Sequence, residues 1–350
     1  MTRNRCISTM QSGQLGLSLI ELMIALVLGL LLSAGVITIF ISAKQNYQVQ
    51  DAVSQVQENG RFSLEFLARD IRMAGFSGCS NEVPTANSIE NASVSVRSYE
   101  EGIDGYDGDS GTLPIARFPD AQVNSDAIVL HITDPESDLV VSGHNPNSAT
   151  IDVTNAHAFK PGAILMIVDS NCSNRGIFVM SGPTNVNGNA TRIVHNTGTL
   201  PNGAENCSKA LKGEYTCDDE SAASQTAYTD GSSVLSITSV GYYIRDPDQD
   251  PNLTSPTLYR VTFSSEFGTA SADVYQPLVE GVSNLDILYG VYDSAVDTLQ
   301  YKTADVVTTA DEWGSVTTVR LEVEAESLTA VEGAPITRQF VRTVKLRNRG

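Results

Sequence analysis

Glu21 stands at the mouth of twenty uncharged residues, Leu22 to Ile41. Twenty apolar residues are the length that spans a bilayer as a helix. A carboxylate at the edge of such a helix is costly and calls for a dedicated electrostatic partner. A second set of oxygens, Asp246, Asp248 and Asp250, has the D-x-D-x-D spacing that can ligate calcium. An EF-hand loop also needs glycine at its sixth position and an acid at its twelfth, where this chain has Pro251 and Thr257. A solvated turn is therefore the stronger reading of the triplet, and the same discount applies to Asp104, Asp107 and Asp109.

Gly108-Asp109-Ser110-Gly111 has the look of a serine-nucleophile turn. Such a serine needs a histidine base and an orienting acid. Chymotrypsin-like proteases, whose turn this resembles, order their triad His, Asp, Ser. All four histidines here (131, 144, 157 and 195) follow Ser110. The histidines show no ligand pair, and no glycine loop with a lysine is present to cradle phosphate. The sequence predicts no enzyme, no cofactor and no metal site.

Of the five cysteines, Cys6 lies before the apolar run and Cys79, Cys172, Cys207 and Cys217 lie after it. Their spacings lack the tight pairs of a zinc site. An even number in an oxidising compartment points to disulfides, and four cysteines permit three connectivities. Cys207–Cys217 as a local loop with Cys79–Cys172 as a long-range tie is the favoured pairing.

These residues need elements to hold them. From Lys44 to about Ala74 there is no proline and one glycine, Gly60. Val49, Ala52, Val53, Val56, Leu64, Leu67 and Ile71 fall on one helical stripe, with polar residues on the other faces. The spacing predicts a single helix from Leu17 to about Ala74, apolar all round in its first half and amphipathic in its second, with Gly75 as its terminator. Residues 80–125 and 197–232 read as loop-rich. Strands are expected at Ala127–Ile132, Ala163–Asp169, Gly176–Met180, Thr191–His195, Ser233–Arg245, Thr257–Phe263, Leu285–Tyr292, Val316–Glu326 and Gln339–Arg347. Within Val316–Glu326, Val319, Leu321, Val323 and Ala325 alternate with charged residues, the pattern of an antiparallel strand with one wet face. The fold class is α+β, a long N-terminal helix packed on an antiparallel sheet, with a β-rich elaboration. The expected divisions are a leader at 1–16, the long helix at 17–76 with its membrane span at about 22–41, the elaboration at 77–232 and a C-terminal sheet at 233–350.

The formal charge of −19 disfavours direct contact with nucleic acid. Arg3 and Arg5 precede the apolar run with no acid beside them, which favours an N-in, C-out single-pass orientation. Two plainer readings compete. One is an ordinary secretory signal cut near Ser33-Ala34-Gly35, although the apolar run is longer than such signals use. The other is a membrane anchor with Glu21 incidental to it.

The segment Gly16-Leu17-Ser18-Leu19-Ile20-Glu21, its basic leader and its apolar stem resemble the class III signal of type IV prepilins. That resemblance implies cleavage between Gly16 and Leu17 by prepilin peptidase, methylation of the new N-terminus at Leu17, and a role for Glu21 as the fifth mature residue. Leu17 departs from the phenylalanine usual there. Glu58-Asn59-Gly60-Arg61-Phe62 through Ala74-Gly75-Phe76 is similar to the stem end of PilW-type minor pilins. The same holds for Gly241-Tyr242-Tyr243-Ile244, Thr257-Leu258-Tyr259-Arg260, Leu278-Val279-Glu280-Gly281-Val282, Leu288-Tyr289-Gly290-Val291, Trp313, Val319-Arg320 and the closing Leu346-Arg347-Asn348-Arg349. Residues 80–232 carry no motif tied to any family.

The resemblance implies a minor pilin in the inner membrane of a Gram-negative bacterium, assembled through its stem into a tip complex that primes the pilus for motility and adhesion. Its implied partners are prepilin peptidase, other minor pilins, the major pilin and a tip-associated adhesin. A J-type pseudopilin of type II secretion is the nearest alternative. An anchored periplasmic binding or hydrolytic protein is the alternative from another class.

Overall fold

The absence of proline between Leu19 and Met73 leaves the backbone free to run as one helix, and it does. Helix α1 (Leu19–Met73) is 55 residues long in the computed structural model. The structure describes residues 18–79, 83–90, 101–111, 113–184, 189–200, 205–263, 273–347 and 349, the side chains of 135–138 excepted. The helix stops where the sequence says it should. Gly75 takes a left-handed φ of +68°, and its N–H donates to the His131 carbonyl at 2.9 Å.

The chain forms two compact units, Met1–Ala52 and Val53–Gly350. In the first, every described side chain from Leu19 to Ile41 is exposed, although the run is apolar on all faces. It is long and apolar enough to cross a membrane.

The second unit begins with the amphipathic half of α1 and continues almost entirely as strands. In chain order these are β1 (Thr85–Asn87), β2 (Ile89–Glu90), β3 (Ile103–Tyr106), β4 (Ala127–Asn145), β5 (Thr150–His157), β6 (Ile164–Val168), β7 (Arg175–Val179) and β8 (Ala190–Val194). Then come β9 (Glu205–Asn206), β10 (Ser233–Arg245), β11 (Thr257–Phe263), β12 (Val274–Glu280), β13 (Val282–Asp293) and β14 (Thr298–Lys302). A short helix α2 (Ala304–Ala310) leads to β15 (Val316–Glu326) and β16 (Thr337–Lys345).

Ten strands form the larger sheet, in the order β1-β7-β6-β10-β4-β5-β8, with β3 on β4 and with β11 and β12 beyond β10. A four-stranded sheet runs β14-β13-β15-β16, and β2 pairs with β9. The pairing is antiparallel except between β1 and β7. Strand β10 is shared along its length: residues 233–236 pair with β6, Ser239–Arg245 pair with β11, and β4 lies along its other side. The larger sheet therefore draws strands from both sides of residue 233, and the smaller sheet is built wholly from residues after Gly281.

Strands β5, β12 and β14 are not among the expected strands. The first half of β5 does alternate, with Ile151 and Val153 buried between Thr150, Asp152 and Thr154, whereas β12 and β14 lack a clear alternating pattern. β14 is the plainest case: Thr298 to Tyr301 are exposed on both faces, so no apolar period marks the strand. The run expected at Ala127–Ile132 continues to Asn145 because its second half finds partners in β10 and β5.

Leu64, Leu67, Ala68 and Ile71 of α1 pack into one core with both sheets. Ile128, Leu130, Val240 and Tyr242 come from the larger sheet, and Leu285, Ile287, Tyr289, Val319, Leu321 and Val323 from the smaller. A buried leucine or isoleucine of this kind contributes about 1.5–3 kcal/mol. A second core lies within the elaboration, around Ile151, Leu165, Ile167, Phe178, Ile193 and Val234.

Gly60 lets the helix approach β16. A Cβ there would lie 2.2 to 2.7 Å from three ring atoms of Phe340. Alanine gains about 1 kcal/mol of helix propensity over glycine, but here it must displace the whole ring. Gly60→Ala is predicted to destabilise by about 1–3 kcal/mol net. In a Phe340→Leu background the same substitution should cost little or become stabilising. Chemical denaturation of the four proteins of the cycle checks the coupling, and additive effects would count against the contact.

Candidate assembly site

Helix α1 opens with a reciprocal pair of hydrogen bonds. The Ser18 N–H donates to Glu21 Oε2 at 2.9 Å, and the Glu21 N–H donates to Ser18 Oγ at 3.2 Å. Ser18 is thus the N-cap of α1 and Glu21 its third residue, the arrangement known as a capping box. The carboxylate also sits at the positive end of the helix dipole. A serine three residues before a glutamate, ahead of an apolar run, is a sequence-level sign of this cap. The expected cleavage residues Gly16 and Leu17 lie outside the described residues.

At the other end of α1 the family-like segments converge. Asn59 Nδ2 donates to the Glu280 carbonyl at 2.7 Å, beside Gly281, whose φ of +71° makes the tight connection from β12 to β13. One turn before the end of the helix, Asp70 Oδ2 accepts from the Tyr242 hydroxyl at 2.6 Å and from Arg260 Nε at 3.2 Å. Burial, assisted by the charge of Asp70, pushes the Tyr242 hydroxyl well above its usual range, so it is a protonated donor at neutral pH.

The chain end returns to the same helix terminus. The Arg347 guanidinium lies 5.3 Å from the Phe76 ring centre, and Arg349 donates to the carbonyls of Trp313 and Val316 at 2.6 and 3.0 Å and to that of Glu101. Burial lowers the Arg349 pKa to about 10, against the opposing pull of Glu101. Asp126 links the two sheets, accepting N–H groups from Gly108 at 2.9 Å and from Ile287 at 2.7 Å. Its burial raises its pKa to about 6, opposed by those two hydrogen bonds.

The remaining chemistry-bearing residues are spent on structure. Cys79 is joined to Cys172 and Cys207 to Cys217, with Cα separations of 5.6 and 5.8 Å. Asp246 and Asp250 organise the β10–β11 turn. Asp246 Oδ1 accepts the Asp248 N–H at 2.9 Å, and Asp250 pairs with Arg245 at 3.2 Å. Among the described residues no group of three or more His, Cys, Asp or Glu side chains gathers as a metal site. The Ser110 hydroxyl donates to the Asp107 carbonyl at 2.8 Å, inside a turn that Asp107 also caps.

Two histidine clusters were not legible in the sequence. His131 Nδ1 lies 2.7 Å from Ser239 Oγ, and its Nε2 lies 3.5 Å from Asp104 Oδ2. The residue types are those of a hydrolase triad, but the two ring nitrogens are exchanged relative to it. All three residues are buried (Ser239 5 %, His131 2 % and Asp104 9 % exposed), and they knit β10, β4 and β3 together. The second cluster is His144 and His195, whose Nε2 atoms are 3.2 Å apart. The Tyr228 N–H donates to His144 Nδ1 at 3.0 Å, which fixes the tautomers. His144 must carry its proton on Nε2 and donate it to His195 Nε2.

Two family profiles match this chain. Residues 11–37 match the prokaryotic N-terminal methylation motif, and residues 241–341 match type IV pilus-assembly protein W. The chain matches a PilW-type pilin. No curated protein and no solved structure gave a match. The methylation match spans the cap formed by Ser18 and Glu21. The PilW-type match contains Tyr242, Arg260, Gly281 and Phe340, four of the residues that dock the amphipathic half of α1. Both profiles describe structural components of pili, and an apolar N-terminal helix carrying a prepilin motif is the arrangement of a membrane-anchored pilin.

Burial lowers His144 to about 4, assisted by Lys212, and lowers His195 to about 3, assisted by His144. Both imidazoles are neutral in the fold and titrate near 6.5 once unfolded. Above pH 6.5 neither state binds the protons, and below it only the unfolded state does, so stability falls from pH 6.5 towards 4. The loss at pH 5 should be on the order of 2–4 kcal/mol for the pair. Asp126 acts oppositely in the same window, because its folded pKa is raised, and it favours the fold as pH drops through 6. Hydrogen exchange by peptide should therefore show the β5–β8 region loosening at pH 5, while the Asp126 joint does not. The variant His144→Gln/His195→Leu should lose that acid sensitivity; equal sensitivity in the variant would contradict the assignment.

Proposed function

We propose that the protein is a minor pilin that prepilin peptidase cleaves between Gly16 and Leu17 and that assembles, through α1, into a priming complex at the pilus tip. The observation that carries this reading is the methylation-motif match over residues 11–37, with Glu21 inside the apolar helix that follows. Cleavage removes Arg3, Arg5 and Cys6 and creates an α-amino group on Leu17, whose pKa near 8 leaves it cationic. The apolar residues Leu19 to Ile41 are exposed in the single chain, and packing them against other stems or lipid removes that surface from water.

In such a medium an unpaired carboxylate is strongly disfavoured. The Leu17 amine of a neighbouring subunit supplies the counter-charge and fixes the axial register between stems. The orientation is N-in and C-out across the inner membrane, with Val53–Gly350 in the periplasm. The partners are prepilin peptidase, the other minor pilins, the major pilin and a tip-associated adhesin.

Glu21→Ala should be processed normally, with its mature N-terminus at Leu17, and should fail to enter pili. Removing one member of a buried charge pair costs about 3–5 kcal/mol, enough to abolish assembly. N-terminal sequencing with a piliation assay separates the two steps. Normal piliation of the variant would sink the mechanism, and a start at Val36 would sink the pilin reading itself.

A further inference from the structure

The flank of α1 that faces β16 carries unpaired arginines in a chain where 41 acids outnumber 22 bases. Three contacts orient the helix. Gly60 meets Phe340 of β16, whereas Asn59 and Asp70 reach the opposite side, towards Glu280, Tyr242 and Arg260. At 3.6 residues per turn this places Arg61 and Arg72 on the β16 flank and Phe62, Phe66 and Arg69 on the outward face.

Strand β16 and the residues just after it run alongside the helix, from Phe340 at Gly60 to Arg347 at Met73 and Phe76. Its Arg338 and Arg342 stand opposite Ala325 and Leu321, both buried, and so lie on the same side of the sheet as the helix. Among the described residues none of Arg61, Arg69, Arg72, Arg338 or Arg342 is in an ion pair. The acids on this stretch of helix are Glu58, Glu65 and Asp70, and Asp70 is turned away to Tyr242 and Arg260, so five arginines face two acids and the seam is positive on a negative body. Phe62 and Phe66 are each 40 % exposed beside it.

We infer that this seam between α1 and β16 docks a carboxylate-bearing face of another pilin subunit, which deepens the pilin reading and rests on it. Every cation in the seam is arginine, whose planar fork takes a carboxylate in two parallel hydrogen bonds, a geometry lysine does not offer. Arginine beside exposed phenylalanine is the composition of a protein–protein interface. A nucleic acid is the poorer occupant, because a chain of phosphates longer than the seam runs onto a body of charge −19.

The test uses the full-length protein in cells that make the pilus. Arg61→Lys/Arg72→Lys/Arg342→Lys keeps the charge and supplies amines, so a carbodiimide reagent can fuse them to any carboxylate in contact. The expected result is an amide crosslink, read by mass spectrometry, to an aspartate or glutamate of another pilin. The charge reversal Arg61→Glu/Arg72→Glu/Arg342→Glu should cut recovery of that partner at least about tenfold while leaving thermal unfolding unchanged. Crosslinks confined to this chain, or to a protein that is not a pilin, overturn the inference. So does retention of a short DNA duplex by the purified protein that the charge reversal abolishes. A mature start at Leu17 in these same samples keeps the pilin reading standing even where the docking fails.

Discussion

The apolar stripe Leu64, Leu67, Ala68 and Ile71 of α1 is what joins the two sheets into one body. Each sheet is hydrogen-bonded within itself, but side chains of both meet in a core that closes over this stripe. An antiparallel sheet with one apolar face must cover that face. A single helix here covers parts of two. The polar contacts at its edges then set position rather than supply the bulk of the energy. Asp70 ties the helix to β10 and β11, and Asn59 ties it to the β12–β13 connection. Loss of the stripe would expose both sheets, whereas loss of one polar contact would shift the helix over a core that still exists.

The elaboration is stabilised by different means. Its inner core surrounds two neutral histidines, and its loops are closed by two disulfides that span 93 and 10 residues. The Cys79–Cys172 bond fastens the chain just after α1 to the turn between β6 and β7, far along the sequence. Cross-links of this kind stabilise mainly by restricting the unfolded chain. They suit a region whose segments, such as 205–232, carry little regular structure of their own. Lys212 pairs with the buried Asp169 at 2.8 Å and lies over the Tyr228 ring at 4.4 Å, so the cation whose charge acts on His144 is already engaged.

Much of this was legible in the residues, and the reasons are local. Helix α1 announces itself through an unbroken three-four spacing, no proline, and Gly75 at its end. Strand β15 does so through the alternation of Val319, Leu321, Val323 and Ala325. Strand β14 does not, because nothing covers either of its faces. The His131–Ser239 contact joins residues 108 apart and the His144–His195 contact residues 51 apart. Pairing at such separations is decided by strand register, which depends on the whole sheet and leaves no short motif. The match to type IV pilus-assembly protein W falls where the sequence had shown family-like segments, while 80–232 holds the structure that no motif foretold.

The Ser18–Glu21 cap bears on how one carboxylate can be tolerated before assembly and used during it. A lone charge in an apolar helix would seek any counter-charge, including a wrong one. Held by the Ser18 N–H and the helix dipole, Glu21 has a local partner that costs no new contact. A cap of this type is worth about 0.5–2 kcal/mol, whereas leaving a buried ionic pair incomplete costs about 3–5 kcal/mol. On the pilin reading, ion pairing between subunits outweighs the cap once stems pack together. The carboxylate is then kept occupied in the single chain by an interaction weak enough to yield to a neighbour's amine. On that reading the order of these two magnitudes, and not the presence of the glutamate alone, lets the same residue be quiet in the membrane and decisive in the filament.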